Sequence, residues 1–398
     1  MGLERVRTVK KQANIEPNFL IITVGGTNGK GSVCSFLEKI FSSAGYSVGC
    51  YTSPHLFKFN ERIKVNLKQV DDESILKSLD FIKKNKQSTV LTYFEITTLA
   101  AMNIFVNKNI DIAILEVGLG GRLDAVNIFD PEISIITSVG IDHQDFLGNS
   151  IEEIAYEKSG ICRTNKHAIL NFKNIPKSMI DNLKNIDASL SIINEDYFFD
   201  IGTKGYNYKS QDKSMMGLPM PFLKGENQLN NLAGALRVIS LLEKKFPVKL
   251  AAIKKGITDT RIKGRIEILS KQPLIVADVA HNADAAMNFY NFIKKSKRSG
   301  KLYAIFSILE NKDIMQVLLP FIGIVDEWFV SEIKDSRAQK IEVILSSLKK
   351  HKKNLVIRKF NTLKNAYDEA FKKCDLNDNI IIYGSFHTVI ETTDGVKT

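Results

Sequence analysis

Two kinds of spacing alternate along this chain. Apolar runs at 19–24, 47–52, 111–117 and 133–138 read as buried strands, and helical patterns fill the stretches between them. The clearest helical stripe is Val33, Phe36, Leu37, Ile40, Phe41 and Ala44, with Gly45 placed to end it. Strands and helices in alternation predict a parallel sheet with crossover helices. From 165 to 222 the period is lost, and Phe198-Phe199, Tyr206-Asn207-Tyr208, Pro219 and Pro221 suggest short antiparallel strands appended to that sheet. A helix over 228–244 is expected to close the first domain. A second series follows, with strands at 274–278, 301–306, 327–331, 355–358 and 379–383 and helices at 284–294, 312–318, 340–349 and 362–373. It predicts a smaller, doubly wound, Rossmann-like domain, although no G-x-G-x-x-G supports a dinucleotide site there. The expected domains are residues 1–268 and 269–398, with the joint near 266–273, where Gln272-Pro273 interrupts the pattern.

Composition fits this two-domain α/β reading. The chain has 398 residues, 44% apolar and 25% charged, which is globular and long enough for two cores. No apolar run reaches the roughly 18 residues of a membrane span, and Met1-Gly2-Leu3-Glu4-Arg5 lacks the apolar core of a signal peptide. A cytoplasmic protein is expected. Cys34, Cys50, Cys162 and Cys374 are scattered with no C-x-x-C, so they read as buried or incidental thiols rather than a disulfide framework or zinc site. The net charge of +11 raises nucleic acid or anionic membrane as partners. Against both, the positive charge is mostly lysine, as in Lys83-Lys84, Lys244-Lys245, Lys254-Lys255, Lys294-Lys295 and Lys352-Lys353, which read as solvated helix faces and ends. No basic segment is interleaved with aromatics to stack bases.

One segment carries explicit chemistry. Val24-Gly25-Gly26-Thr27-Asn28-Gly29-Lys30-Gly31-Ser32 joins the first strand to the first helical stripe. Glycines let several backbone N–H groups converge on one anion, the helix aims its positive end at the same point, and Lys30 adds a mobile charge. This predicts a phosphate cradle made by Gly26, Thr27, Asn28, Gly29, Lys30, Gly31 and Ser32. The strict pattern G-x-x-x-x-G-K-[ST] is not matched, because Val24 replaces its first glycine and Gly31 moves the hydroxyl on to Ser32.

The loop resembles that of the Mur ligase superfamily. Tyr51-Thr52-Ser53-Pro54-His55-Leu56 and Asn60-Glu61-Arg62-Ile63 narrow the resemblance to the folylpolyglutamate synthase and dihydrofolate synthase family. Leu91-Thr92-Tyr93-Phe94-Glu95, residues 115–125, Gly140-Ile141-Asp142-His143 and Glu157-Lys158-Ser159-Gly160-Ile161 agree, as do Asp278-Val279-Ala280-His281-Asn282 and Gly384-Ser385-Phe386-His387-Thr388-Val389. Their order and spacing carry the resemblance over almost the whole chain. It implies a first domain like the Mur ligase central domain and an enzyme that uses ATP and magnesium to add L-glutamate to dihydropteroate and to folates. In that chemistry a carboxylate takes the γ-phosphoryl group, and the glutamate amine displaces phosphate from the acyl phosphate. A basic surface suits such anionic substrates, and a monomer is expected.

The resemblance also implies roles. Lys30 would neutralise the terminal phosphates, and Ser32 and Glu116 would hold a magnesium ion. His143, with Glu116, would bind a second, and Lys158 would be carbamylated to help hold metal. Asn231, Arg265, Asp278 and His281 would serve the nucleotide at the domain junction, the last two from the second domain, which implies closure of the two lobes. Pro54 and His55 on a mobile loop, with Thr92, Phe94, Asp124 and Ala125, would receive the pterin. Arg337 and Ser385-Phe386-His387 are assigned to the incoming glutamate or the cleft. Three departures stand out: Asn227 replaces a usual histidine, Lys263-Gly264-Arg265 lacks the usual proline, and relatives carry a further segment ahead of Gly2-Leu3-Glu4-Arg5. That start reads as a truncation or a shortened natural form.

The expected function is therefore a bifunctional dihydrofolate synthase and folylpolyglutamate synthase. Its nearest rival is an enzyme with only the second activity, and a peptidoglycan-type Mur ligase is more distant. From another class, a nucleic-acid-binding ATPase would account for the charge.

Overall fold

The structure, a computed structural model, describes residues 2–296, 300–351 and 355–394. It divides into two compact units, one of Met1–Phe222 with Asn227–Arg261 and one of Leu223–Glu226 with Ile262–Thr398. The division at Arg261/Ile262 lies ahead of the expected 268/269.

The first unit is built on an eight-stranded sheet of β1 (Leu20–Gly25), β2 (Val48–Tyr51), β3 (Ile63–Val65), β4 (Lys68–Gln69), β5 (Ile112–Glu116), β6 (Ile133–Ile136), β7 (His167–Leu170) and β8 (Ser189–Ile192). Its order is β4-β3-β2-β5-β1-β6-β7-β8. From β2 to β8 the neighbours run parallel, while β3 and β4 form an antiparallel edge. Residues of β1, β2, β5 and β6 are buried on both faces, which is why these strands read as unbroken apolar runs. The helix Lys30–Ser43 lays Val33, Phe36, Leu37, Ile40 and Phe41 into the core, and Gly45 follows with φ +96°.

Residues 165–222 correct the expectation. They supply β7 and β8 as parallel strands of the main sheet, joined by the helix Lys177–Asn185. Only then come β9 (Tyr197–Gly202), β10 (Gly205–Ser210) and β11 (Ser214–Leu218), which form their own three-stranded antiparallel sheet. The helix Asn227–Leu241 does not close the unit either. Leu250–Asp259 follows it and packs on the helix Lys30–Ser43, where a methyl on Gly256 would meet Ile40 Cγ1 at 2.3 Å.

The second unit carries β12 (Glu267–Lys271), β13 (Leu274–Asp278), β14 (Leu302–Phe306), β15 (Glu327–Val330), β16 (Val356–Lys359) and β17 (Asn379–Tyr383) in the order β12-β13-β17-β14-β15-β16. All pairs are parallel except β12 with β13. Gln272-Pro273, the expected joint, is instead the turn of that β12–β13 hairpin. Its core centres on Tyr383, whose ring lies 4.5 Å from Phe321, 5.0 Å from Phe306 and 5.9 Å from Phe289.

Among the described residues no helix is long and apolar enough to cross a membrane. Lys83-Lys84, Lys244-Lys245 and Lys294-Lys295 are exposed at or near helix ends and Lys254-Lys255 on the face of the helix Leu250–Asp259, while Lys352-Lys353 lies outside the described residues. Cys34, Cys50 and Cys162 are buried free thiols and Cys374 is half-buried. Phe321 is fully buried, so Phe321→Ala should cost the second unit about 3–5 kcal/mol. Urea denaturation followed by the fluorescence of the sole tryptophan, Trp328, measures this; a loss below about 1 kcal/mol would contradict the packing.

Candidate active site

The chain leaves β1 at Gly25 and turns through Gly26 at φ +140° and Gly29 at φ +91°, both in the left-handed region that disfavours side chains. Space is closed there as well. A methyl on Gly26 would fall 2.0 Å from Thr137 Oγ1, and one on Gly29 would fall 2.5 Å from Asn231 Oδ1. The helix Asn227–Leu241 thus presses Asn231 against the loop, and Asn231 Nδ2 donates to Gln228 Oε1 at 3.1 Å. Lys30 folds back and donates to Gly26 O at 2.9 Å and Thr27 O at 3.3 Å. Ser32 is buried in the first turn of the helix.

Glu116 ends β5, the strand beside β1. It is buried, accepts the N–H of Ser53 at 3.2 Å, and has its carboxylate oxygens 3.8 and 3.9 Å from where a Cβ on Gly31 would stand. Lys158, in the last turn of Ile151–Ser159, is buried too. Burial first and Lys30 second push its ammonium down to about 7, against Asp142 and Asp124. Asp124 caps the short helix Ala125–Ile128, accepting N–H groups of Leu119 at 2.8 Å and Val126 at 3.0 Å. Burial lifts its carboxyl to about 6 against those donors and Lys30. Asp142 accepts the N–H of His143, a residue held at φ +53° with Nε2 3.9 Å from Asp142 Oδ1. Lys30, Lys158, Asp124 and Asp142 therefore share one electrostatic neighbourhood.

Among the described residues no group of three or more His, Cys, Asp or Glu is arranged to hold a metal ion. A magnesium ion does not need one, since it keeps waters and substrate phosphates and takes one or two protein oxygens. Ser32 and Glu116 are hard oxygen donors of that kind. Lys158 as an ammonium does not fit a cation; only a carbamate on its nitrogen would.

The residues expected for the pterin have structural duties as well. Thr92 and Glu95 form a capping box at the start of Tyr93–Asn107, and Arg5 Nε reaches Glu95 at 2.9 Å. The ring of Phe94 lies 5.9 Å from Tyr51 and covers Gly118, where a methyl would meet it at 2.6 Å. Ala125 is buried next to Asp124. Beyond Pro54 the chain is tied rather than loose. Glu61 accepts the N–H groups of Leu56, Phe57 and Lys58 at 2.7, 2.9 and 2.9 Å, and Arg62 Nε donates to His55 Nδ1 at 2.8 Å.

In the second unit Asp278 ends β13 and accepts the N–H of Ile266 at 2.8 Å. Burial lifts its carboxyl to about 6, opposed by Arg265. The Arg265 guanidinium sits 5.4 Å and the His281 ring 6.2 Å from the Phe386 ring, so these three gather at the carboxyl edge of β13 and β17. Ser385 caps the helix Phe386–Thr393, with its hydroxyl 2.8 Å from Thr388 Oγ1. Arg337 pairs with Asp335 at 2.8 Å, and His387 stands 3.5 Å from the same carboxylate.

Sequence reasoning gave no role to Thr137, Ser138, Glu61 or Arg62. Glu61 and Arg62 sat in a motif already singled out, whereas Thr137 and Ser138 lay within the strand expected at 133–138, which ends at Ile136.

The Mur ligase middle domain matches residues 24–239, and the Mur ligase glutamate ligase domain matches residues 264–386. A dihydrofolate synthase/folylpolyglutamate synthase of Haemophilus influenzae is 34% identical over 410 residues, spanning 98% of this chain and 92% of that protein. The structure of E. coli FolC in complex with DHPP and ADP superposes with a TM-score of 0.93 at 33% identity, covering 99% of this chain and 92% of that one. A bifunctional folylpolyglutamate synthase/dihydrofolate synthase with Mn, AMPPNP and L-glutamate bound gives a TM-score of 0.91 at 34% identity, covering 100% and 94%.

The state of Lys158 is open to titration. An unfolded chain keeps this proton up to the ordinary value of 10.5, whereas the folded site sheds it near 7, so stability rises with pH through that interval. In buffer free of carbon dioxide, Lys158→Met should therefore exceed the parent by about 3–5 kcal/mol near pH 7, with the gap closing toward pH 10.5. Parallel urea curves at several pH values measure this, and a gap independent of pH would refute the assignment.

Proposed function

The chain belongs to the folylpolyglutamate synthase and dihydrofolate synthase family of Mur ligases, and from that premise we propose that it joins L-glutamate to dihydropteroate and to folates at the expense of ATP. The observation that carries this reading is the phosphate loop at the end of β1 with a buried carboxylate, Glu116, at the tip of the adjacent strand. The likeness to relatives bearing both activities in their names favours the bifunctional enzyme over one with folylpolyglutamate synthase activity alone.

Each proposed role follows from chemistry. A carboxylate is a poor electrophile, and phosphoryl transfer to it makes a leaving group of one oxygen. The transferring group develops charge on its oxygens, so what the protein supplies is position and compensating charge. Lys30 holds its ammonium at the mouth of the loop, on carbonyls it can leave when an anion arrives. Ser32 and Glu116 would hold magnesium, which when bound neutralises phosphate oxygens. We assign a second metal position to His143 with Glu116.

Lys158 is proposed to be carbamylated. A neutral amine adds carbon dioxide to give a carbamate and one proton, and an ammonium cannot. With its ammonium pushed down to about 7, much of Lys158 is neutral at physiological pH. The carbamate would turn a site with two neighbouring lysines into one with Lys30 and an anion. Asp124 and Phe94 would offer the pterin a carboxylate acceptor and an aromatic face, and Thr92, Ala125, Pro54 and His55 belong to the same assignment. For the nucleotide the proposal adds Asn231, Arg265, Asp278 and His281.

Phosphate release should require ATP, magnesium, L-glutamate and an acceptor together, with either dihydropteroate or tetrahydrofolate sufficing. Silence with dihydropteroate alone would leave the single activity, and turnover driven by nucleic acid without glutamate would overturn the class. Lys30→Ala and Glu116→Ala should each lower turnover about 100- to 1,000-fold. Lys158→Ala should lose activity and regain part of it with added short-chain carboxylic acids, which a purely packing role would not allow.

A further inference from the structure

The phosphate loop does not hold its shape alone. The two residues that follow β6, Thr137 and Ser138, reach across to it at every turn. Ser138 Oγ accepts the N–H of Asn28 at 2.8 Å and donates to the C=O of the same residue at 3.0 Å. Thr137 Oγ1 lies 2.6 Å from Asn28 O and 3.1 Å from Gly25 O. Backbone bonds run alongside, from Thr27 N to Ser138 O and from Thr137 N to Gly25 O, both at 2.9 Å. Thr27 completes the lacing, its hydroxyl accepting the N–H of Gly140 at 3.0 Å and facing the carbonyl of Gly140 at 3.2 Å. Gly26 leaves the space this requires, since any Cβ there would collide with Thr137 Oγ1.

Two consequences follow. The N–H groups of Thr27 and Asn28, expected to face an anion, are instead spent on this seam together with the Thr27 hydroxyl. And Gly140 stands two residues before Asp142 and three before His143, so these bonds tie the loop to the residues that lead into the acidic segment.

We propose that Thr137 and Ser138 are positioning residues that clamp the Asn28 peptide and thereby fix the phosphate loop against the Asp142–His143 segment, setting the distance between the nucleotide's phosphates and that segment. The clamp rests on the nucleotide-binding reading above. It acts through the loop and touches no substrate itself. The hydroxyls suit the task because both meet the carbonyl of Asn28 and that of Ser138 also accepts its N–H, so Asn28 is held at both of its backbone polar groups.

The test is a kinetic and binding comparison of the full chain with Ser138→Ala, Ser138→Thr and Thr137→Val. Ser138→Ala should raise the KM for ATP and the magnesium concentration for half-maximal rate about tenfold, while the KM for glutamate stays within twofold. Ser138→Thr, which keeps the hydroxyl, should return both to within about threefold of the parent. Thr137→Val removes the second hydroxyl at nearly constant shape and should act in the same direction, so the proposal stays testable should Ser138→Ala fold poorly. Direct binding of ATP with magnesium, measured calorimetrically, separates the two layers of the argument. If the parent binds no nucleotide, the proposed function itself fails. If the parent binds and both hydroxyl-deleting variants bind equally well, or lose thermal stability with no change in KM for ATP, the clamp is refuted.

Discussion

Two lysines held close enough to repel each other set the terms of the first unit. Lys158 is buried at the end of one helix and Lys30 projects from the start of another, and each feels the other's charge. Nothing in folding alone recommends this. An ammonium taken out of water costs several kcal/mol, and a second one nearby adds to that cost. The arrangement persists because Asp124 and Asp142 offset part of it and because Lys158 can shed its proton. A site built this way is poised to receive negative charge, and triphosphate, carboxylate and carbamate all bring it.

Fold and electrostatics meet in the close approaches of backbone. The loop is pinned between a strand neighbour and a helix, with Thr137 on one side and Asn231 on the other, and at Gly26 and Gly29 neither leaves room for a β-carbon. The glycines therefore do more than permit positive φ. They let β6 and the helix Asn227–Leu241 reach the turn from both sides, so the direction of the first N–H groups of the helix Lys30–Ser43 is inherited from the sheet. The departure from the strict phosphate-loop pattern becomes intelligible here. Val24, in place of a first glycine, is simply a buried β1 residue, and the turn begins later, at Gly26.

The central strands and the first helix were legible because burial on both faces writes an unbroken apolar run and burial on one face writes a stripe. Where burial is partial the signal fades. β12 alternates half-exposed positions on a sheet edge, and β3 with β4 spans only a few residues, so neither announced itself. β7 and β8 are short, and the less regular segment around them masked their parallel pairing. The joint was sought at Gln272-Pro273 because proline breaks a pattern, yet a hairpin turn breaks it equally well. Among chemical residues, Lys30 and Glu116 stood out through their neighbours in sequence. Thr137 and Ser138 did not, because a hydroxyl that binds a backbone more than a hundred residues away leaves no local trace.

On the proposed assignment the acceptor side follows the same logic of shared duty. Asp124 caps a helix and Thr92 caps another, while Phe94 closes over Gly118. A residue committed to a cap cannot swing to suit a new ligand without uncapping its helix, at a cost of about 1 kcal/mol. The pterin end of any acceptor would thus meet a fixed surface. Dihydropteroate and the folates share that end and differ at the other, so a fixed pterin pocket serves both, and the differences in length must be met elsewhere. On the same assignment Asp124, a carboxyl lifted to about 6 by burial, would gain from a ligand that brings N–H donors to it.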